Sequence, residues 1–267
     1  MDGKRVAREI EEILAMANEG VSYKPKLLIV TDNSDPASQV YIRNKVKSAE
    51  RCGIETEILD VSKESHKVSM GKIFHSKHDG IIVQLPMKEE HADDFIRSVP
   101  FDKDVDALGV WNIGLLHGPS SNRMTPCTPK GIMKLLDAYG INPSGKHAVV
   151  IGRSHLVGRP VAELLLQKDA TVTICHSRTK NLPDITKQAD ILISAVGKEK
   201  LVTADMVKPG AVVIDVGINR NADGKLCGDV DFESVKEIAG YITPVPGGVG
   251  PMTVACLMEN VMEALPF

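Results

Sequence analysis

The sequence predicts a parallel α/β protein built as one large or two modest domains, and three observations carry that reading. Short apolar runs of strand length alternate with stretches of helical periodicity, a glycine-bearing turn joins one strand directly to a helix, and a loop rich in proline and glycine precedes a closing helix. The 267 residues are 43% apolar and 25% charged, which excludes disorder, collagen and coiled coil. Against 35 Asp and Glu stand 32 Lys and Arg, a formal charge of −3. That balance makes no electrostatic case for nucleic acid or an anionic membrane, so small-molecule partners are expected.

Val6, Ile10, Ile13, Leu14 and Ala17 recur at helical spacing, so the chain opens with a helix lying on a core. Lys26 to Thr31 is a strand, and Asp32-Asn33-Ser34-Asp35-Pro36 is a capping cluster whose proline begins the next helix. Ile81-Ile82-Val83-Gln84 is a second buried strand, stopped by Leu85-Pro86. The alternation then sharpens: helix around 132–139, strand 147–151, helix 157–168, and strands 170–175, 190–196 and 211–216. Proline and glycine fill six of the eight positions 244–251, and a last helix runs from Pro251 to about Ala264. Apolar runs fall far short of the roughly 20 residues that span a bilayer. The N-terminal Met1-Asp2-Gly3-Lys4-Arg5 enters a charged amphipathic pattern without the marks of a signal peptide, so a cytoplasmic protein is expected. Five scattered cysteines without a Cys-x-x-Cys pair read as reduced packing residues.

Gly152-Arg153-Ser154-His155-Leu156-Val157-Gly158 lies between a strand and a helix, where a dinucleotide phosphate meets a helix N-terminus. Its spacing departs from G-x-G-x-x-G, which leaves a purely structural turn open. About twenty residues on, where a 2′-hydroxyl reader is acidic, Ser177 and Arg178 suit a 2′-phosphate, favouring NADP over NAD. Gly197 and Gly217 close later strands and are expected to leave room for the cofactor. Tyr41 and Lys45 project from one helix face, and Gln84 ends an apolar strand where a buried amide needs partners. For the Tyr-x-x-x-Lys pair alone, a partly buried tyrosine beside a solvated lysine is the favoured account. His75 and His78 have no third ligand at a recognisable spacing, and no metal site is expected.

Together these segments resemble the bifunctional methylenetetrahydrofolate dehydrogenase/cyclohydrolase family over essentially the whole chain. The matching stretches are Asp35-Pro36-Ala37-Ser38 with Tyr41 and Lys45, Val83-Gln84-Leu85-Pro86, Lys103-Asp104-Val105-Asp106, Pro126-Cys127-Thr128-Pro129, 152–160, 175–179, 215–220, Gly228-Asp229-Val230-Asp231 and 243–253. The resemblance implies an N-terminal α/β catalytic domain, 1–128, with 251–267 returning to it, and a Rossmann-like NADP-binding domain, 129–250. It implies NADP-dependent oxidation of 5,10-methylenetetrahydrofolate to the methenyl form and hydrolysis to 10-formyltetrahydrofolate, within one-carbon metabolism and purine biosynthesis. The catalytic residues would be Lys45, Gln84, Tyr41 and Asp106, with Lys45 shuttling a proton at a pKa lowered toward about 7–8. Tyr41, Val83, Gln84, Leu85, Asp106, Pro246, Gly247 and Gly248 would border the folate. Gly152, Arg153, Ser154, Ser177, Arg178 and Ile218 would hold NADP, and the assembly would be a homodimer.

This chain departs from the family pattern at Ala107, where glycine is usual, at His155, where asparagine is common, at Thr31-Asp32-Asn33-Ser34, which lacks a glycine, and at Trp111. A positive φ at position 107 would strain alanine and could shift Asp106. Two other readings are an NADP-dependent reductase of a small acid, resembling shikimate dehydrogenases, and a non-catalytic NADP-binding sensor.

Overall fold

A computed structural model describes residues 1–33, 36–87, 89–118 and 124–265. In chain order the elements are α1 (Gly3–Asn18), β1 (Lys26–Thr31), α2 (Pro36–Arg51), β2 (Glu55–Asp60), α3 (His66–Phe74), β3 (Gly80–Val83), α4 (Glu89–Ser98), α5 (Val110–Leu116) and α6 (Cys127–Ala138). There follow β4 (His147–Ile151), α7 (Gly158–Leu166), β5 (Thr171–Cys175), α8 (Leu182–Thr186), β6 (Ile191–Ser194), β7 (Val212–Asp215), β8 (Asn219–Arg220), β9 (Leu226–Cys227), α9 (Phe232–Val235), β10 (Tyr241–Ile242) and α10 (Val249–Glu263). The chain divides into two compact units, one of residues 8–127 with 254–267, the other of residues 1–7 with 128–253.

In the first unit β1 is the middle strand of a parallel sheet in the order β2-β1-β3. A middle parallel strand is covered on both faces, which is why Leu27 to Val30 is an unbroken apolar run. Leu27 and Ile29 point to one side, against Ile42 and Ala49 of α2 and Leu257 and Val261 of α10. Leu28 and Val30 point to the other, against Ile73 of α3 and Phe95 of α4. The elements β2, α3, α4 and α5 are additional to those expected from the sequence. Strand β2 leaves Glu55, Glu57 and Ile58 exposed, so it lacks the solid apolar run that marked β1 and β3. Of the capping cluster before α2, Ser34 and Asp35 lie outside the described residues; Asn33 donates its side-chain amide to Asp60 Oδ2 at 2.7 Å.

The second unit is a five-stranded parallel sheet in the order β10-β7-β6-β4-β5. From β4 the chain steps outward to β5, then returns past β4 to form β6 on its other side, so the strand order reverses beside β4. One face buries Ala148, Val150, Ile193 and Ile214 under Ile132 and Leu136 of α6 and Val161 and Leu165 of α7. The other buries Val149, Leu192 and Val213 with Val202, Met206 and Val235. Helix α6 begins at Cys127, five residues before the expected start, because its first turn tolerates Pro129. The antiparallel pair β8–β9 and the short strand β10 were also unread, each being two residues long.

Candidate functional site

Helix α2 presents Tyr41 and Lys45 one turn apart, and β3 ends at Val83 just before Gln84. The backbone N–H of Gln84 still donates to Val30 O at 2.8 Å, which fixes its Cα at the end of the ladder. Its side-chain Oε1 accepts from Lys45 Nζ at 2.7 Å, and its Nε2 donates to Leu85 O. Ser38 Oγ in the first turn of α2 donates to Pro86 O at 3.2 Å, tying that helix to the cis Leu85–Pro86 peptide. Lys45 is only 8% exposed. Burial pulls its pKa below the usual lysine value, and the nearby Asp106 carboxylate opposes that pull. The lysine is therefore not the solvated cation that pattern alone allowed.

Asp106 stands on a segment hung from β3, where Ile81 N–H donates to Lys103 O at 2.7 Å. Buried Asp104 braces the turn that follows. Its carboxylate accepts from Gly109 N–H at 2.8 Å, Leu108 N–H at 3.4 Å and Asn112 Nδ2 at 3.0 Å. Burial raises the Asp104 pKa while these donors oppose the rise. Ala107 takes a φ of 55° within this turn, donating its N–H to Asp104 O at 3.0 Å. The strain foreseen at Ala107 is thus present, and the turn keeps the left-handed conformation in spite of it.

Two residues beside this group carried no sequence signal as site residues. Cys127, read as packing, lies close enough to Asp106 and Lys45 to feel both charges, and burial pushes its thiol well above the ordinary range, so it stays protonated. Fully buried Asn260 of α10 donates to Val105 O at 2.8 Å and Thr125 O at 2.9 Å, fixing the backbone just before Asp106. A lone asparagine in a helical pattern gives no hint of that reach.

The second unit gathers the remaining candidates along the carboxyl edge of its sheet. Gly152 follows β4 with a φ of 124°, and a Cβ there would lie 2.4 Å from Ala195 O, so only glycine fits. Arg153 and Ser154 are exposed in the turn entering α7, and Ser154 Oγ accepts from Val157 and Gly158 N–H at 3.2 and 3.4 Å. Ser177 and Arg178 are exposed just past β5, in a turn closed by His176 N–H donating to Thr179 Oγ1 at 2.8 Å. Ile218 is 51% exposed after β7. The exposed hydroxyls of Ser154 and Ser177 and the guanidinium groups of Arg153 and Arg178 form a donor set that fits a dinucleotide bearing an extra phosphate.

The room expected at Gly217 is not open, because a Cβ there would lie 2.1 Å from Asp229 Oδ1; Gly197 has open space at that position. In the proline- and glycine-rich loop Pro246 is exposed, whereas Gly247 and Gly248 are buried against the first turn of α1. Gly247 O accepts from Gly3 N–H at 3.0 Å and Lys4 N–H at 3.1 Å, so the close approach these glycines allow is to the chain itself.

Two family models match the chain: tetrahydrofolate dehydrogenase/cyclohydrolase, catalytic domain, over residues 1–106, and the NAD(P)-binding domain of the same family over 126–266. Bifunctional protein FolD of Nitrosospira multiformis is 50% identical over 99% of this chain and 94% of its own. The crystal structure of the bifunctional FolD methylenetetrahydrofolate dehydrogenase/cyclohydrolase from Campylobacter jejuni superposes with a TM-score of 0.94 at 43% identity, covering 98% of this chain and 97% of that one. The Trypanosoma brucei methylenetetrahydrofolate dehydrogenase-cyclohydrolase, solved with NADP cofactor and an inhibitor, gives a TM-score of 0.92 at 34% identity over 99% and 96% of the two chains.

Proposed function

The chain belongs to the tetrahydrofolate dehydrogenase/cyclohydrolase family, and from that footing we propose how its residues carry out the two reactions. It is a bifunctional enzyme, oxidising 5,10-methylenetetrahydrofolate with NADP and hydrolysing the methenyl product to 10-formyltetrahydrofolate. The observation that carries the mechanism is the buried Lys45–Gln84 hydrogen bond beside Asp106.

NADP, when bound, supplies the acceptor for the hydride. Arg153, Ser154, Ser177, Arg178, Ile218 and the backbone at Gly152 hold it, Ser177 and Arg178 taking the 2′-phosphate. Asp106 receives the pterin N–H donors, Tyr41 stacks on the folate ring system, and Val83 and Leu85 complete its surroundings. We assign the folate reactions to 1–128 with 251–267 and cofactor binding to 129–250. Gln84 holds the Lys45 amino group in place by accepting one of its N–H bonds, and the neutral amine that burial favours keeps its lone pair for use as a base. In the hydrolysis Lys45 takes a proton from water as the water oxygen bonds to the methenyl carbon. It then returns a proton to the ring nitrogen released when the carbon–nitrogen bond breaks, and the second proton leaves to solvent. A buried lysine suits this work because desolvation brings its pKa toward the working range.

The proposal extends to a cytoplasmic homodimer serving purine biosynthesis. The homodimer and the pathway follow from the family resemblance, and five free cysteines suit a reducing compartment. Among the described residues no helix is long and apolar enough to cross a membrane.

A coupled optical time course with methylenetetrahydrofolate and NADP, following NADPH and the methenyl compound separately, tests the reading. NADPH formed without methenyl build-up, with added methenyl compound hydrolysed faster than in buffer, supports both activities. Methenyl build-up without accelerated hydrolysis leaves a dehydrogenase alone. No NADPH from folded protein that binds NADP returns the small-acid reductase or the sensor.

A further inference from the structure

The motif Gly228-Asp229 has no part in the mechanism above, yet it lies at the most densely hydrogen-bonded carboxylate among the described residues. Asp229 is fully buried. Its Oδ2 accepts from Val196 N–H at 2.8 Å, Gly197 N–H at 3.2 Å and Ser194 Oγ at 3.1 Å. Its Oδ1 accepts from Lys198 N–H at 2.8 Å and Asn219 Nδ2 at 3.0 Å. Three successive amides converging on one anion curl the loop after β6 around it, and Asn219 ties in the loop after β7. A second carboxylate locks the arrangement from the other side: Asp215 accepts from Gly217, Asp229 and Val230 N–H, each at 2.9 Å. Two glycines make the interlock possible. A Cβ on Gly228 would lie 1.8 Å from Asp215 Oδ2, and one on Gly217 would lie 2.1 Å from Asp229 Oδ1.

The sheet order gives this clasp a functional side. The phosphate-suited residues Arg153, Ser154, Ser177 and Arg178 follow β4 and β5, whereas the loops held by Asp229 follow β6 and β7, across the point where strand order reverses. A dinucleotide lies across that point with one half on each side. The adenosine half belongs to the β4–β5 side and the nicotinamide half to the β6–β7 side. We propose that Asp229 is a positioning residue for hydride transfer, setting the loops 195–198 and 216–219 against the nicotinamide half through their amides and Asn219. The inference rests on the assignment of NADP to this edge.

The test compares the full-length protein with Asp229→Asn and Asn219→Ala, measuring KM for NADP, dehydrogenase kcat, and the affinities for NADP and for 2′,5′-ADP, the adenosine half alone. Asp229→Asn puts an NH2 group among N–H donors, while Asn219→Ala removes one donor at a partly exposed position and keeps the core intact. With charge-assisted bonds lost, kcat/KM for NADP should fall about ten- to a hundredfold in Asp229→Asn, and about threefold or more in Asn219→Ala, with 2′,5′-ADP affinity within about twofold of wild type. Equal weakening of NADP and 2′,5′-ADP would mark general damage to the sheet edge and overturn the proposal, as would unchanged NADP kinetics in both variants. If Asp229→Asn does not fold, the split in Asn219→Ala decides. Absence of NADPH formation by the wild type would instead sink the functional reading, and the two affinities would still decide the role of Asp229.

Discussion

Lys45 sits on α2 where water is excluded and the Gln84 amide oxygen accepts its hydrogen bond. With its pKa below the usual 10.5, the folded protein releases this proton at lower pH than the unfolded chain does. Stability from this group therefore rises with pH between the lowered value and 10.5, and the full cost of the buried ammonium is present at lower pH. Lys45→Met removes that cost but leaves Gln84 Oε1 without its donor, so stability should change by no more than about 1–2 kcal/mol. Hydrolysis should fall at least about a hundredfold and lose its rising alkaline limb. Retained activity in a folded Lys45→Met protein would refute the role given to this lysine; chemical denaturation and a pH–rate profile read both effects. Ala107 is a second test at this scale. Glycine there would relieve about 1 kcal/mol of left-handed strain, but would lose roughly 0.8 kcal/mol of buried methyl and about 0.5–1 kcal/mol of backbone entropy. Ala107→Gly should therefore lie within about 1 kcal/mol of wild type, and folate KM should stay within about twofold, because Asp104 holds the turn from beneath.

Among the elements, the pair β6 and β7 depends on charge held inside the protein. Burial drives Asp215 up to about 6 from 3.8, against the pull of its three backbone donors and with Asp229 adding repulsion. Between these two values the folded protein keeps a proton that the unfolded chain has released. Stability from Asp215 is thus greatest below the unfolded value, falls as pH rises through the window, and carries its full cost above the folded value. From about pH 4.5 to about pH 7 this contribution should decline by about 2 kcal/mol. Asp215→Asn should remove that decline while lowering stability overall, since its NH2 would face N–H donors; urea unfolding at the two pH values measures the difference. A variant showing the same decline as wild type would mean that Asp215 is not the group responsible. Asp215 ends a strand of solid apolar residues and looks in sequence like an ordinary strand end, and Asp229 follows only a two-residue strand and a glycine. Only the convergence of 194–198, 215–219 and 228–230 turns them into a clasp.

At the scale of the whole molecule, each unit has cores of its own, so a ligand of one unit should be visible as protection of that unit's backbone. At about 100 times its dissociation constant, NADP adds about 2.7 kcal/mol to the unit that binds it. Hydrogen exchange should slow along β4–β7 and in the turns 152–158, 177–179, 195–198 and 216–219. Protection confined to the other unit's β1–β3 sheet would contradict the cofactor assignment. Parallel α/β architecture and the main strands were legible because buried parallel strands must be written as continuous apolar runs, β1 and β4 above all. The resemblance reached Lys45, Gln84 and Asp106 through motif residues, and local spacing alone could not separate a working Lys45 from a solvated one. Strand β2 escaped because its exposed positions impose no solid apolar run, whereas β3 at the opposite edge is buried throughout. Cys127 and Asn260 escaped because their contacts cross 22 and 155 residues of chain. Sequence by itself determined what repeats locally: the strand runs, the helical stripes, the glycine turn at 152 and the class of chemistry its motifs resemble. Tertiary structure alone decided that Lys45 is buried against Gln84, that Ala107 accepts a positive φ, and that the space beside Gly217 belongs to Asp229. Those outcomes depend on which distant groups meet and how much water they exclude, and no local pattern encodes either.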